Sequence, residues 1–393
     1  MKRWRAAVIG GGFIGRVHAE ALHRLPQAEL TALCDPEGAQ QKAEAWNVPH
    51  AYADYRELVE QERPEVVHIC TPNATHYEIA KFALEHGAHV LCEKPFVLHL
   101  WQAQELTALA RARGLANGIN FHNRFYPMVA QLRACVQQWQ LGKIFTVHGS
   151  YLQDWLLFDT DYSWRVHRET GGYSRAVADI GSHWLDLAEY TTGLRVTEVL
   201  AEFSTVHPVR MRPGRTSGTF GGTGTADGMP YSVDTEDCAL LLLRFDTGAV
   251  GSVVISQVFA GKKNELSFSV AGSAASAMWN SERPEELWMG RRPAASQLLC
   301  KTPEQLMDAP AALACYPGGH IEGFSEAVLQ GCAQFYAGRP RVQSMPMRIL
   351  QRGCGACNCA RPSVPAPAAD AGRRWRPRLT HRRVLCGRKK DRQ

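Results

Sequence analysis

Three glycines, one lysine and an aspartate–histidine pair carry the chemistry open to this sequence. Gly10, Gly12 and Gly15 spell G-x-G-x-x-G inside the string G-G-G-F-I-G, which also holds Phe13 and Ile14. The string follows a strand-like run, Ala6–Ile9, and opens a helix-like segment, Arg16–Leu25. In that setting Gly10 permits a tight turn, Gly12 lets backbone approach a pyrophosphate, and Gly15 lets helix pack closely on strand. The pyrophosphate would rest on the free N–H groups of the helix N-terminus. A second strand, Leu30–Cys34, ends in Asp35, 20 residues after Gly15, where an acid can accept ribose hydroxyls. That carboxylate repels a 2′-phosphate, so the pattern predicts NAD over NADP, a preference that Arg16 and Lys42 could soften. A Gly-rich turn that binds nothing is the plainer reading of the motif alone; Asp35 at this spacing weighs against it.

The lysine is Lys94, in C-E-K-P at Cys92–Pro95, after the strand His89–Cys92. Ligands of open α/β sheets bind at the carboxyl ends of the strands. Thr71-Pro72-Asn73 closes another strand and should line the same crevice. The pair is Asp179 and His183, four residues apart and so on one helix face, with Asp186 three further on. A carboxylate can orient an imidazole, and a histidine so placed can take a hydroxyl proton while a hydride leaves. On this segment alone, Asp179 or Ser182 as a helix cap and His183 as a satisfied surface residue is the simpler reading. Half of a metal site is a third, without a clear second half.

These residues need elements to hold them. Strands at Arg5–Ile9, Leu30–Cys34, Val66–Thr71, His89–Cys92 and Ala116–Phe121 alternate with helices at Arg16–Leu25, Gly38–Trp46, Tyr55–Glu60, His76–Glu85 and Trp101–Arg113. The alternation predicts a doubly wound parallel sheet. After about residue 125 comes a helix, Met128–Gln140, then strands at Ile144–Trp155, Val196–His207, Cys238–Phe245, Ala249–Phe259, Glu265–Ala271 and Ala275–Asn280, interrupted by a helix at Ile180–Tyr190. This predicts an α+β domain on a large, mostly antiparallel sheet. Pro208–Ser232, rich in Gly, Thr and Pro, reads as a long loop. The predicted organisation is α/β overall: residues 1–125 for the cofactor, 126–340 for substrate and assembly, and 341–393 as a tail.

At 393 residues the chain exceeds one ordinary core. Its net charge of +6 is uneven. Residues 341–393 hold 12 Arg and 2 Lys against 2 Asp, so the rest is net −6, and nothing in that body argues for nucleic acid. We read the tail as a disordered basic segment, or as a frameshift product, since suitable codons for Pro346–Arg361 can spell DADFATGVRGVQLR in another frame. Cys354, Cys357 and Cys359 lack a fourth ligand at normal spacing, so no metal is expected. No run of 18 apolar residues suggests a membrane span. Without an export signal, the 12 cysteines read as reduced thiols and the protein as cytoplasmic.

Over roughly residues 4–340 the chain resembles the Gfo/Idh/MocA family of NAD(P)-dependent oxidoreductases. The matching strings are G-G-G-F-I-G, C-T-P-N at Cys70–Asn73 with His76, E-K-P at Glu93–Pro95, N-F-H-N-R-F at Asn120–Phe125, W-R at Trp164–Arg165, Gly171–Asp186, and G-G-H-I-E-G-F at Gly318–Phe324. The resemblance implies a Rossmann domain, a C-terminal domain with an open sheet that forms a homodimer or homotetramer interface, and Lys94, Asp179 and His183 as the catalytic set. It implies that His183 is the acid/base on the substrate hydroxyl, that Lys94 bonds that oxygen, and that Asp179 orients the substrate. Glu93, Lys94, Asn120, Trp164 and Arg165 would stand near the cofactor with Thr71, Pro72, Asn73 and His76. Tyr151, Gln153, Asp154, Trp155 and His320 would face the substrate. Tyr173 stands where family members carry a third glycine, and the basic tail replaces their usual ending. Polar Gln153, Asp154, Asp179, His183, Asp186 and His320, with Trp155 and Trp164 for ring stacking, suit a sugar, sugar derivative or cyclitol. The rivals are a non-catalytic NAD- and sugar-binding regulator of the same fold, and a damaged gene product that folds poorly.

Overall fold

A computed structural model describes residues 3–212 and 228–337. The basic tail and the middle of the Pro208–Ser232 stretch lie outside the described residues. The first sheet is made of β1 (Trp4–Ile9), β2 (Ala28–Cys34), β3 (His50–Tyr52), β4 (Val66–Ile69), β5 (His89–Cys92) and β6 (Asn117–Ile119). Its strands are parallel in the order β3-β2-β1-β4-β5-β6. Ala6–Ile9 and Val66–Ile69 are buried throughout, as the continuous apolar runs of a sheet covered on both faces must be. Helices α1 (Phe13–Arg24), α2 (Ala39–Ala45), α3 (Tyr55–Glu62), α4 (His76–Glu85) and α5 (Leu100–Ala112) link the strands. Strand order reverses between β1 and β4, and a crevice opens there at their carboxyl ends.

The second half begins with α6 (Pro127–Gln137), its proline in the first turn, where a missing N–H costs nothing. Then come β7 (Ile144–Leu152), α7 (Arg168–Gly171), a π-helical turn at Val177–Gly181, and α8 (Ser182–Thr192). The remaining strands are β8 (Val196–Ser204), β9 (Val209–Arg212), β10 (Met229–Ser232), β11 (Cys238–Phe245), β12 (Val250–Ser256), β13 (Glu265–Gly272), β14 (Ser276–Asn280), β15 (Glu286–Gly290) and β16 (Gln297–Cys300). Seven of these join β7 in one eight-stranded sheet, ordered β16-β15-β14-β13-β7-β12-β11-β8, antiparallel except for β7 beside β12. The expected long loop is partly a ribbon, because β9 and β10 pair antiparallel at its two ends.

One face of this sheet packs on α8, whose Trp184 is fully buried against Phe268 and donates from Nε1 to the Ser267 carbonyl at 2.9 Å. The other face carries Leu200, Leu240, Leu242, Val250, Val254 and Met278, all exposed. An open antiparallel sheet ordinarily turns polar residues outward, so this face is unusual. After α9 (Asp308–Ala311), the chain returns to the first sheet through α10 (Phe324–Ala337). There Val328, Leu329, Cys332, Phe335 and Tyr336 share a core with Ala19 and Leu22 of α1 and with Leu25 just after it.

Candidate active site

The glycine turn is built for close approach. Gly10 has φ +106°, and a Cβ there would lie 2.5 Å from the Cys70 carbonyl oxygen. A Cβ on Gly15 would run into the Gly10 carbonyl, whereas one on Gly12 would meet nothing within 4 Å. α1 starts after Gly12 with no side-chain cap and no acid in its first turn. Its terminal N–H groups are therefore left for an anion. Asp35 accepts the Gly11 N–H at 2.6 Å and pairs with Lys42 at 2.9 Å. A Cβ at Gly11 would press on both side chains, which explains the third glycine in the run.

Behind the crevice, three side chains hold its walls. His76 is buried and spans two carbonyls, Thr71 O at 2.9 Å and Pro95 O at 2.8 Å, joining the ends of β4 and β5. Asn73 donates to the Gly171 carbonyl at 2.9 Å, tying the first half to α7. Glu93 is buried with Asn120 at 2.7 Å and His18 at 3.1 Å on one oxygen. Burial pushes its carboxyl up, yet His18, Lys94 and Asn120 outweigh that and hold it at about 2. His18 bonds His68 at 2.8 Å, and His68 bonds the Tyr336 hydroxyl at 3.0 Å. Cys332 lies within 4.8 Å of the two ring nitrogens, which are already committed to each other.

Lys94 meets the second half at the π turn. Its ammonium donates to the Asp179 carbonyl at 2.8 Å and to Asp179 Oδ1 at 2.6 Å. Gln257, just past β12, donates to Asp179 Oδ2 at 2.8 Å, and Arg165 stands 3.4 Å from Oδ1. Burial raises the Asp179 carboxyl, but the Lys94 and Arg165 charges prevail and bring it to about 2. His183 is buried one turn on, its ring edge-on to Phe121 and His122 at 5.6 and 4.9 Å. Burial, then the charges of Lys94 and His122, push its pKa well below the usual histidine range, so the ring is neutral. Its Nδ1 is sealed with no partner among the described residues, leaving Nε2 as the nitrogen that can meet a ligand.

Comparison with known proteins places this geometry. Residues 4–121 match the model of an oxidoreductase family with an NAD-binding Rossmann fold, and residues 129–278 match the GFO/IDH/MocA C-terminal domain. Levoglucosan dehydrogenase of Pseudarthrobacter phenanthrenivorans is 30% identical over 298 residues, 73% of this chain and 76% of that protein. The chain belongs to the GFO/IDH/MocA oxidoreductase family. Among solved structures, an oxidoreductase domain protein from Kribbella flavida superposes with a TM-score of 0.81 at 27% identity, covering 91% of this chain and 97% of the other. An inositol dehydrogenase homologue from Azotobacter vinelandii, complexed with NAD+, does so at 0.75 and 27%, covering 90% and 88%. This family member is thus an NAD-dependent oxidoreductase, and its glycine turn and uncapped helix fit the pyrophosphate of that cofactor.

The structure brings together Lys94, Asp179, His183, Arg165 and Tyr151, the last 6.3 Å ring to ring from His183. Arg165 lies over the Trp164 ring at 4.4 Å and reaches Trp155 at 5.9 Å. Several expected residues also bond protein groups. Tyr151 and Gln153 both bond Asn264, at 2.9 and 2.8 Å, and Trp155 donates to Gln153. Asp154 is taken by Lys263 at 2.7 Å and the Gly261 N–H at 3.1 Å. His320 is exposed in the turn before α10. Asp186 is paired with Arg124, whose Nε donates to it at 2.7 Å. The helix-cap alternative fails: Ser182 donates back to the Ala178 carbonyl and the Asp179 carboxylate holds Lys94. Tyr173, exposed beside His99, shows why a bulky residue is accepted there. Sequence reasoning missed Gln257 and His122; the second lay in a matched string, the first had no signal at all.

Proposed function

We propose that the chain oxidises a secondary hydroxyl of a sugar, sugar derivative or cyclitol, or reduces the matching ketone, with Lys94, Asp179 and His183 as its catalytic machinery. The observation that carries this reading is the ammonium of Lys94. A lysine has three donors; two are spent on Asp179, the third has no partner among the described residues, and the Lys94 charge acts on His183. That donor bonds the reacting oxygen and favours its developing negative charge. Neutral His183 takes the hydroxyl proton on Nε2. Bound NAD supplies the hydride acceptor. Asp179, its two oxygens occupied, positions Lys94 rather than gripping the substrate. Trp155 and Trp164 offer ring faces, and the family relative named levoglucosan dehydrogenase supports a sugar-like ligand.

Asp35 is the proposed ribose acceptor and the source of a preference for NAD. The exposed apolar face of the second sheet supports assembly as a homodimer or homotetramer through that face. Eight unpaired cysteines among the described residues support a reducing, cytoplasmic setting. No helix among the described residues is long and apolar enough to cross a membrane. The test is a screen of NAD reduction across sugars, glycosides and inositols. Turnover of a polyol is expected; NAD binding with no turnover of any of them would favour the regulatory alternative.

A further inference from the structure

We infer that His122 is a substrate-recognition residue that binds the hydroxyl next to the one being oxidised, an inference that rests on the polyol reading above. His122 opens the 3₁₀ turn His122–Phe125, separated by two residues from the cleft-side end of β6. Its ring sits 4.9 Å from that of His183 and 4.8 Å from that of Phe324, edge-to-face with both. Phe324 is in turn stacked on Phe13 of the glycine turn at 6.0 Å. The imidazole is therefore wedged between the proposed base and the cofactor loop, and its tilt is set by aromatic contact.

What distinguishes His122 is what its nitrogens lack. Apart from the proposed base His183, the histidines packed behind the crevice, His18, His68 and His76, have both ring nitrogens bonded to protein groups. His122 has no such bond to a described residue, and neither of its nitrogens is sealed from solvent. A half-buried polar ring held rigidly by its faces, with both polar atoms open, is suited to a ligand. Burial drives its pKa to about 4, with Glu93 opposing and Lys94 and His18 adding to the shift, so the ring is neutral at working pH. A neutral imidazole offers one donor and one acceptor. That is the complement of a hydroxyl, and it stands one ring away from the nitrogen assigned to the reacting oxygen.

The test uses the full chain with NAD, levoglucosan, methyl D-glucoside and myo-inositol, and the mono-deoxy analogues of each. His122→Phe keeps an aromatic wedge and removes the hydrogen bonds. It should lower kcat/KM for the preferred polyol about 2- to 12-fold, the worth of one neutral hydrogen bond. It should also erase the preference of the wild type for that polyol over one particular deoxy analogue. His122→Asn, which retains a donor and an acceptor, should restore part of that preference, and NADH affinity should be unchanged in both variants. If the Phe variant keeps full discrimination at every position, or loses NADH affinity in step with turnover, the inference falls alone. If the wild type turns over none of these polyols, the polyol reading falls and takes this inference with it.

Discussion

Among the described residues, Lys301 is buried and Lys94 half-buried against carboxylates, and only Lys94 stands at a cleft. Lys301, just past β16, gives its three donors to the His320 carbonyl, Glu285 and Glu322. Burial alone would lower its pKa, but the two glutamates raise it. Glu322 also takes the Cys315 and Tyr316 N–H groups, so the cluster is closed upon itself. Lys94 spends two donors on one residue and keeps a third. The difference teaches that a buried ion pair marks structure when its hydrogen-bonding capacity is used up, and chemistry when a donor is left over beside a neutral base.

The comparison breaks most sharply at the base. His183→Ala should lower turnover roughly 10²–10⁴-fold while NADH binding, followed by fluorescence titration, is retained. Near-normal rates would end the assignment of the cleft. Lys94→Met should cost about 10²–10³-fold in kcat, the usual toll of losing one donor to a developing oxyanion. Lys301→Met is its counterpart and should behave in the opposite way. It leaves the Glu285 and Glu322 carboxylates without their cation, so unfolding free energy should fall by about 3–5 kcal/mol in urea titrations, with kcat of the folded fraction intact. Equal effects of both lysine changes on kcat would erase the distinction.

Much of the cleft side was legible because its requirements are covalent and local. Only glycine fits at Gly10 and Gly15, and Lys94 falls just past a strand end that apolar patterning marks. The remainder depended on tertiary pairing. β3, β15 and β16 are short strands near sheet edges, with too few apolar positions to show a period. The π turn at Val177–Gly181 leaves no trace in hydrophobic spacing, yet it carries Asp179. Gln257 reaches Asp179 across 78 positions, a contact that no local pattern encodes. Asp186, grouped with the site by its spacing, has both carboxylate oxygens bonded to Arg124.

Two smaller effects sharpen the comparison. Asp179 titrates at about 2 when folded, below its ordinary 3.8. The depressed value means that its contribution is complete above pH 4 and is lost as pH falls through 2. It is worth on the order of 2 kcal/mol. The urea midpoint of the wild type should therefore converge on that of Asp179→Asn between pH 4 and 2; a constant gap would place the stabilisation elsewhere. Asp35→Ser should raise the ratio of NADP to NAD use by roughly tenfold, about 1.4 kcal/mol. No change would mean that Lys42, already on Asp35, has cancelled its repulsion.

The return of α10 to the first sheet has a consequence for the order of synthesis. The partner of His68 is Tyr336, 268 positions later. A ribosome adding about 5–20 residues per second completes the six strands of the first sheet on the order of ten seconds or more before it reaches that tyrosine. Over that interval the groove beside α1, lined by Leu22 and Leu25, has no cover, and His68 has no hydroxyl. The nascent amino-terminal half is thus a client for whatever shields apolar surface in the cell, and its final closure coincides with the emergence of the last described helix.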